Sequence, residues 1–332
     1  MRPAEPGADD TIRIPPKPRR KRMKWPFAVV AGACVVVAAS AAFWLVRPHP
    51  AMPPPFPTAQ VSASSTPGFP IQVATEAEIG RHVPTSLTVF RLADNPRILV
   101  LDFASLHEQG KMLNRVAAFV EKAGLPHDRV LTDSELDAAI LARGDTVETF
   151  YFGHDYAASA LARFFERADS QRIELDPQEE KLRALLREEG WFAPNVAAGL
   201  ISLPTVGSDP RITASARATI LRHELSHGEF FSNPAYAEYV HNFWTRQLTE
   251  AERAGMRAFL RREDYDVRNE ELMCNEMQAY LMFTHDPVFF SPAKAGLTLA
   301  RLAELQMRFL SGMPAGWLHN VLASDRGAAS QP

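Results

Sequence analysis

The run His223-Glu224-Leu225-Ser226-His227 places two histidines four residues apart with a glutamate directly after the first. On an α-helix each residue turns by about 100°, so the two imidazoles fall about 40° apart, one above the other. Glu224 then lies about 100° from His223 on the same broad face. Two imidazoles so placed can share one tetrahedral metal ion, with a carboxylate beside its open position. Ile220, Phe230 and Phe231 continue the histidine face, while Arg222 and Glu229 can point elsewhere. That face is expected to sit against a core, with the metal at the floor of a cleft. The plain alternative is a pair of ordinary surface histidines, which the apolar flanks argue against.

Two histidines and a water leave one protein ligand to find. The segment Asn269–Phe283 offers Glu270, Glu271 and Glu276. Leu272, Glu276, Ala279, Tyr280 and Phe283 recur at helical spacing and form one stripe, in which Glu276 is the only charge. An unpaired carboxylate on a core-facing stripe would cost several kcal/mol, and a bond to a metal removes that objection. Glu271 falls about 140° away, with Asn275 and Gln278, on the face expected to be wet, and Glu270 in the first turn suits the helix dipole. Glu276 is therefore the expected third ligand; the alternative is a core glutamate paired to an arginine.

With these two stretches in view, the chain resembles the gluzincin branch of zinc metallopeptidases. His223-Glu224-Leu225-Ser226-His227 is similar to that family's active-site helix, and Asn275-Glu276-Met277-Gln278-Ala279 to its Asn-Glu-x-x-(Ser/Ala) element. The resemblance covers roughly 200–284. It implies that His223, His227 and Glu276 bind Zn2+ and that Glu224 is the general base in peptide-bond hydrolysis. It also implies a zincin-like α+β fold, and an edge strand over Gly199–Val206 that takes an extended peptide. The family often has an Asp after the Ser/Ala to orient the first histidine. Here that position is Tyr280, so Asp266, Glu270 or a backbone carbonyl is left as the orienting group. For an oxyanion donor the downstream options are Tyr280, Tyr265, His285 and His241. A non-catalytic zinc-stabilised envelope scaffold and a zinc hydrolase acting on cell-wall peptides are the competing functions; retention of Glu224 favours an enzyme.

The elements that must position these residues can be read coarsely. Strands are expected at 87–92, 97–103, 147–152 and 199–206, with Pro204 marking an edge position or a strand end. Helices are expected at 106–122, 133–142, 156–168 (capped by Asp155, with His154 as part of that cap), 177–189 and 213–231. The rest reads as helical, over 235–247, 250–262, 269–284, 297–310 and 314–322. A mixed α/β lobe (71–231) followed by a helical lobe (232–325), with the motif helix between them, is the expected layout.

The 332 residues, 46% hydrophobic and 23% charged, suit a globular protein with a sizeable core. Residues 1–25 form a basic tail expected to be disordered. Residues 1–24 hold eight Lys or Arg against three acids, leaving the remainder with eight excess negative charges. That balance gives no nucleic-acid footprint. Residues 26–46 carry no charge and are long enough to span a bilayer as a signal-anchor helix. The basic cluster before them keeps the tail cytoplasmic and sends the rest across, on the periplasmic side of a bacterial inner membrane. A cleaved signal peptide is the competing reading. The Pro-rich stretch 47–70 is expected to be an extended spacer. Cys34 and Cys274, the only cysteines, cannot plausibly pair. Beyond the membrane, the expected partner is a protein or peptide substrate; oligomeric state is not legible.

Overall fold

The computed structural model describes residues 70–329. The tail, the span and the linker up to residue 69 lie outside the described residues. Within them the chain is α+β, with one five-stranded mixed sheet and eleven α-helices. No described helix is long and apolar enough to cross a membrane.

The chain opens with β1 (Ile71–Ala74) and α1 (Glu76–Arg81), neither of which was read from the sequence. Then come β2 (Thr88–Leu92), β3 (Ile98–Asp102), α2 (Leu106–Val120) and α3 (Asp133–Arg143). β4 (His154–Ala157) leads directly into α4 (Ala158–Gln171), followed by α5 (Pro177–Glu188) and β5 (Gly199–Leu203). After the motif helix α6 (Ala214–Ser232) the chain is helical: α7 (Pro234–Arg246), α8 (Glu250–Arg262), α9 (Glu270–Phe283), α10 (Leu299–Gly312) and α11 (Trp317–Ala329).

The strands run in the order β1-β2-β3-β5-β4, with β1 parallel to β2, β3 parallel to β5, and both β2–β3 and β4–β5 antiparallel. Two expectations fail here. The strand expected over 147–152 lies instead at His154–Ala157, and Asp155 sits within it rather than capping a helix. The carbonyls of Val147, Phe150 and Phe152 accept from Asn114, Lys122 and Gln109, side chains on or beside α2, so they serve no ladder. The strand at 199–203 is interior, not an edge. Pro204 merely ends it, since a residue with no N–H cannot continue the ladder; its carbonyl accepts from Arg217 at 2.7 Å.

One face of the sheet packs on α2, α4 and α5 through Leu99, Leu101, Leu113, Phe164 and Leu182. The other packs on α1 and α6 through Val100, Ile201, Ile220, Leu221 and Leu225. A separate helical core gathers Phe230, Phe243, Phe259, Met277 and Phe309. α6 therefore lies between a sheet-side core and a helical core, and both fix its position.

Its two ends are held by different means. Near the start, Arg217, 3% exposed, makes a two-pronged pair with Asp102 at 2.9 and 2.9 Å and reaches the carbonyls of Pro204, Ile79 and His82. Such a buried fork costs much to break. Toward the end, a Cβ on Gly199 would sit 3.0 Å from Gly228 Cα, and one on Gly228 would sit 2.9 Å from Ile98 Cγ2. Glycine on both elements lets the α6 backbone rest on β5 and β3.

A candidate metal centre on the motif helix

Thr213 caps α6, its hydroxyl accepting from Ala216 N at 3.1 Å, and the helix runs through the whole motif to Ser232. α9 crosses beside it. Asn269 caps α9 at its start and Thr284 closes it. The two helices bring His223, His227 and Glu276 to one point. The two Nε2 atoms are 3.1 Å apart, and the Glu276 carboxylate oxygens lie 3.8 Å from His223 Nε2 and 3.7 Å from His227 Nε2. Donor atoms around a tetrahedral zinc with bonds of 2.0–2.2 Å sit about 3.3–3.6 Å apart. The three side chains are thus within about half an ångström of a ligand set.

The tautomer of His223 follows from its neighbour. The Thr284 hydroxyl donates to the Ala279 carbonyl at 3.0 Å, so its oxygen, 2.7 Å from His223 Nδ1, accepts the proton there. Nε2 of His223 then carries only its lone pair, 3.1 Å from His227 Nε2. Burial, with His227 close by, holds the His223 pKa well below 6.5, which keeps the ring neutral. The orienting group is therefore Thr284. Asp266 is engaged with Arg268 at 2.9 Å and Glu270 with Arg257 at 2.7 Å, so neither takes that role.

Glu276 is fully buried, and neither of its oxygens makes a hydrogen bond. Burial, then the charges of Asp155, Glu121 and Glu224, raise its pKa well above 4.5, an effect that the neighbouring Tyr265 partly offsets. Glu224, 7% exposed, leaves Oε2 without a partner, and its pKa is likewise raised by burial and then by Asp155 and Glu121. Orphaned carboxylate oxygens beside two imidazole Nε2 atoms 3.1 Å apart are the environment a divalent cation fits. The residues present match zinc in number, type and spacing. Only His223, its side chain 12% exposed, and Glu224 give the cluster any contact with solvent.

The remaining sequence candidates separate. Tyr280 packs its ring edge-on to His223 with centroids 4.8 Å apart, and Tyr265 lies beside Glu276. His241 does not join the centre; it pairs with Glu271 at 2.7 Å on the outer surface. His285 is exposed and directly follows Thr284. Asn275 and Gln278, expected on a wet face, are buried: Gln278 bonds Ser226 Oγ, Tyr236 Oη and Asn275 Oδ1. α9 is enclosed on nearly every side, and only its first turn is wet.

Several residues near the centre were not read from the sequence as part of it. Asp155 on β4 lies with an oxygen 3.8 Å from His227 Nδ1. Gly153 lies so close to Glu224 that a Cβ would overlap Oε1. Tyr151 presents a buried, unpartnered hydroxyl among the same acids, and burial raises its pKa well above 10. His154, expected in a helix cap, is buried in β4 with Nδ1 2.9 Å from Ser202 Oγ, and burial brings its pKa down to about 3. No local pattern announces any of these, because the turn and strand that present them come from about 70 residues upstream of the motif. Comparison of the chain with protein-family models, curated proteins and solved structures found no match.

Proposed function

We propose that the chain is a zinc-dependent hydrolase of zincin-like design that cleaves peptide bonds. The observation that carries this reading is the buried convergence of His223 Nε2, His227 Nε2 and the unpartnered Glu276 carboxylate beside Glu224. Zinc held there would supply Lewis acidity, lowering the pKa of a water toward about 7 and polarising an amide carbonyl. His223, His227 and Glu276 hold the ion, and Thr284 fixes the ring of His223. Glu224 takes the proton of the attacking water and returns it to the leaving nitrogen. Burial, then the charges of Asp155 and Glu121, raise its pKa, and a cation held beside it would favour the ionised form that accepts a proton. Phenols from Tyr280, Tyr265 and Tyr151 stay protonated and can donate to the oxyanion.

A peptide is the favoured substrate because β4, beside α6, is the last strand of the sheet among the described residues. β5 is interior, so β4 replaces it as the strand an extended chain could pair with. Placement on the outer side of a membrane, through residues 26–46, belongs to this proposal on sequence grounds alone.

The test is metal analysis and peptide turnover of the purified full-length protein beside Glu224→Gln. The wild type should hold one zinc and cleave members of a peptide library. Glu224→Gln should hold the same zinc and lose about 10²–10⁴-fold in turnover. A zinc-loaded wild type inert toward the library would end the peptidase reading, and one that holds no zinc would end the metal reading.

A further inference from the structure

Asp155 has no task in that reaction, yet it stands beside the centre. Along β4 the side chains alternate: His154 and Tyr156 enter the core toward α2, and Asp155, opposite Ile201, shares the face toward α6. Its Oδ1 lies 3.8 Å from Nδ1 of His227, a ring with no exposed surface whose Nδ1 has no hydrogen-bond partner.

We propose that Asp155 is the positioning residue of His227, its carboxylate accepting the Nδ1–H of that ring when Nε2 binds zinc. The inference rests on the zinc-centre reading above. Proton placement leads to it. His223 Nε2 is bare, so in the 3.1 Å contact between the two Nε2 atoms the proton belongs to His227 Nε2. Coordination at Nε2 needs that lone pair, so the ring's one proton must sit on Nδ1, where it is buried and requires an acceptor. The Asp155 carboxylate is the ion-pair partner at Nδ1, and closing from 3.8 Å to a charge-assisted bond takes about 1 Å. The ladder to β5 fixes the strand that carries it. The two histidines would then be oriented from opposite sides, His223 by Thr284 at the end of α9 and His227 by Asp155 on the sheet. A carboxylate on the far nitrogen also makes the imidazole a better donor to the ion. Lys122 and the acids Glu121, Glu224 and Glu276 face the same space; Glu224 also comes within 4.8 Å of a ligand atom of His227 and of Asp155, but its Oε1 is turned to Gly153.

The experiment uses the full-length protein labelled with 15N-histidine, titrated with zinc against a competing chelator. The wild type should bind one zinc and show slowly exchanging Nδ1–H protons assigned to His223 and to His227, beside the ring N–H of the buried His154. Thr284→Val should lose the His223 signal. Asp155→Ala should lose the His227 signal and bind zinc about 10–100-fold more weakly. Zinc affinity within threefold of wild type, or a persisting His227 N–H signal in Asp155→Ala, overturns the proposal. A second zinc in the wild type that is absent from Asp155→Ala also overturns it, by making Asp155 a ligand with Glu224. If Asp155→Ala does not fold, the isosteric Asp155→Asn decides: a loss of threefold or more supports the proposal and a smaller one overturns it. Failure of the wild type to take up zinc would instead strike the centre itself.

Discussion

A carboxylate sealed from water without a hydrogen bond is among the least favourable groups a fold can hold, and Glu276 has two such oxygens. Removing it should therefore affect metal and stability in opposite directions. Glu276→Ala is expected to lose zinc, while its metal-free form unfolds no more easily than metal-free wild type; inductively coupled plasma analysis and urea denaturation would check the two halves. Glu271→Ala, which removes only a surface partner of His241, should bind zinc as wild type does. The convergence of His223, His227 and Glu276 was legible because helical phase is local: four residues return to one face, and one charge stood on an apolar stripe. Helical phase alone does not single out Glu276, since Asn275 and Gln278 are as buried as the stripe. Thr284 was not legible. Its hydroxyl meets His223 across 61 residues, and nothing in a threonine at a helix end marks a metal's surroundings.

Elements carry the precision of the centre, and glycine sets two of the spacings. Gly228 lets α6 rest on the sheet, with Ile98 2.9 Å from where a Cβ would be. Gly228→Val should overpack that contact and destabilise by about 1–3 kcal/mol or more, read from the denaturation midpoint. Gly153 stands where the turn before β4 meets Glu224. Gly153→Ala should push the Glu224 carboxylate aside, lowering turnover while zinc content stays unchanged; equal turnover would show that Glu224 tolerates the shift. Long amphipathic helices and the apolar strand Ile98–Asp102 were legible from periodicity and caps. β4 was not, because its four residues, His154-Asp155-Tyr156-Ala157, carry neither an apolar run nor β-branched side chains. It is a strand because β5 offers it a ladder, a tertiary fact that sequence windows do not contain.

At the scale of the whole molecule, sheet, motif helix and helical core meet around four buried acids whose pKa values are all raised, chiefly by burial: Glu121, Asp155, Glu224 and Glu276. This gives the metal-free protein an unusual pH dependence. An acid with a raised native pKa keeps its proton while the unfolded chain has lost it, so stability falls as pH climbs from about 4.5 through the raised value. Glu179, raised to about 7 mainly by burial, adds to the same fall up to neutrality. The buried histidines act the other way. His154, at about 3, and His223, held well below 6.5, stay neutral while the unfolded chain takes up protons, so they withdraw stability as pH drops below 6.5. Between pH 7.5 and 8.5 those histidines are essentially neutral in both states, and the acids that keep their protons set the slope, opposed by Lys122, whose pKa burial lowers. The melting temperature of metal-free protein should therefore decline across that window. Zinc needs Glu276 ionised and both rings unprotonated at Nε2, so its affinity rises with pH as fewer protons compete. The stabilisation by a fixed excess of zinc should grow over the same interval, because ligand binding adds stability in proportion to the logarithm of affinity. Calorimetric scans at pH 7.5, 8.0 and 8.5, with zinc and with chelator, should show the two curves diverging. Parallel curves would mean that the metal does not displace protons from these buried acids, and that the centre at His223, His227 and Glu276 is not where it binds.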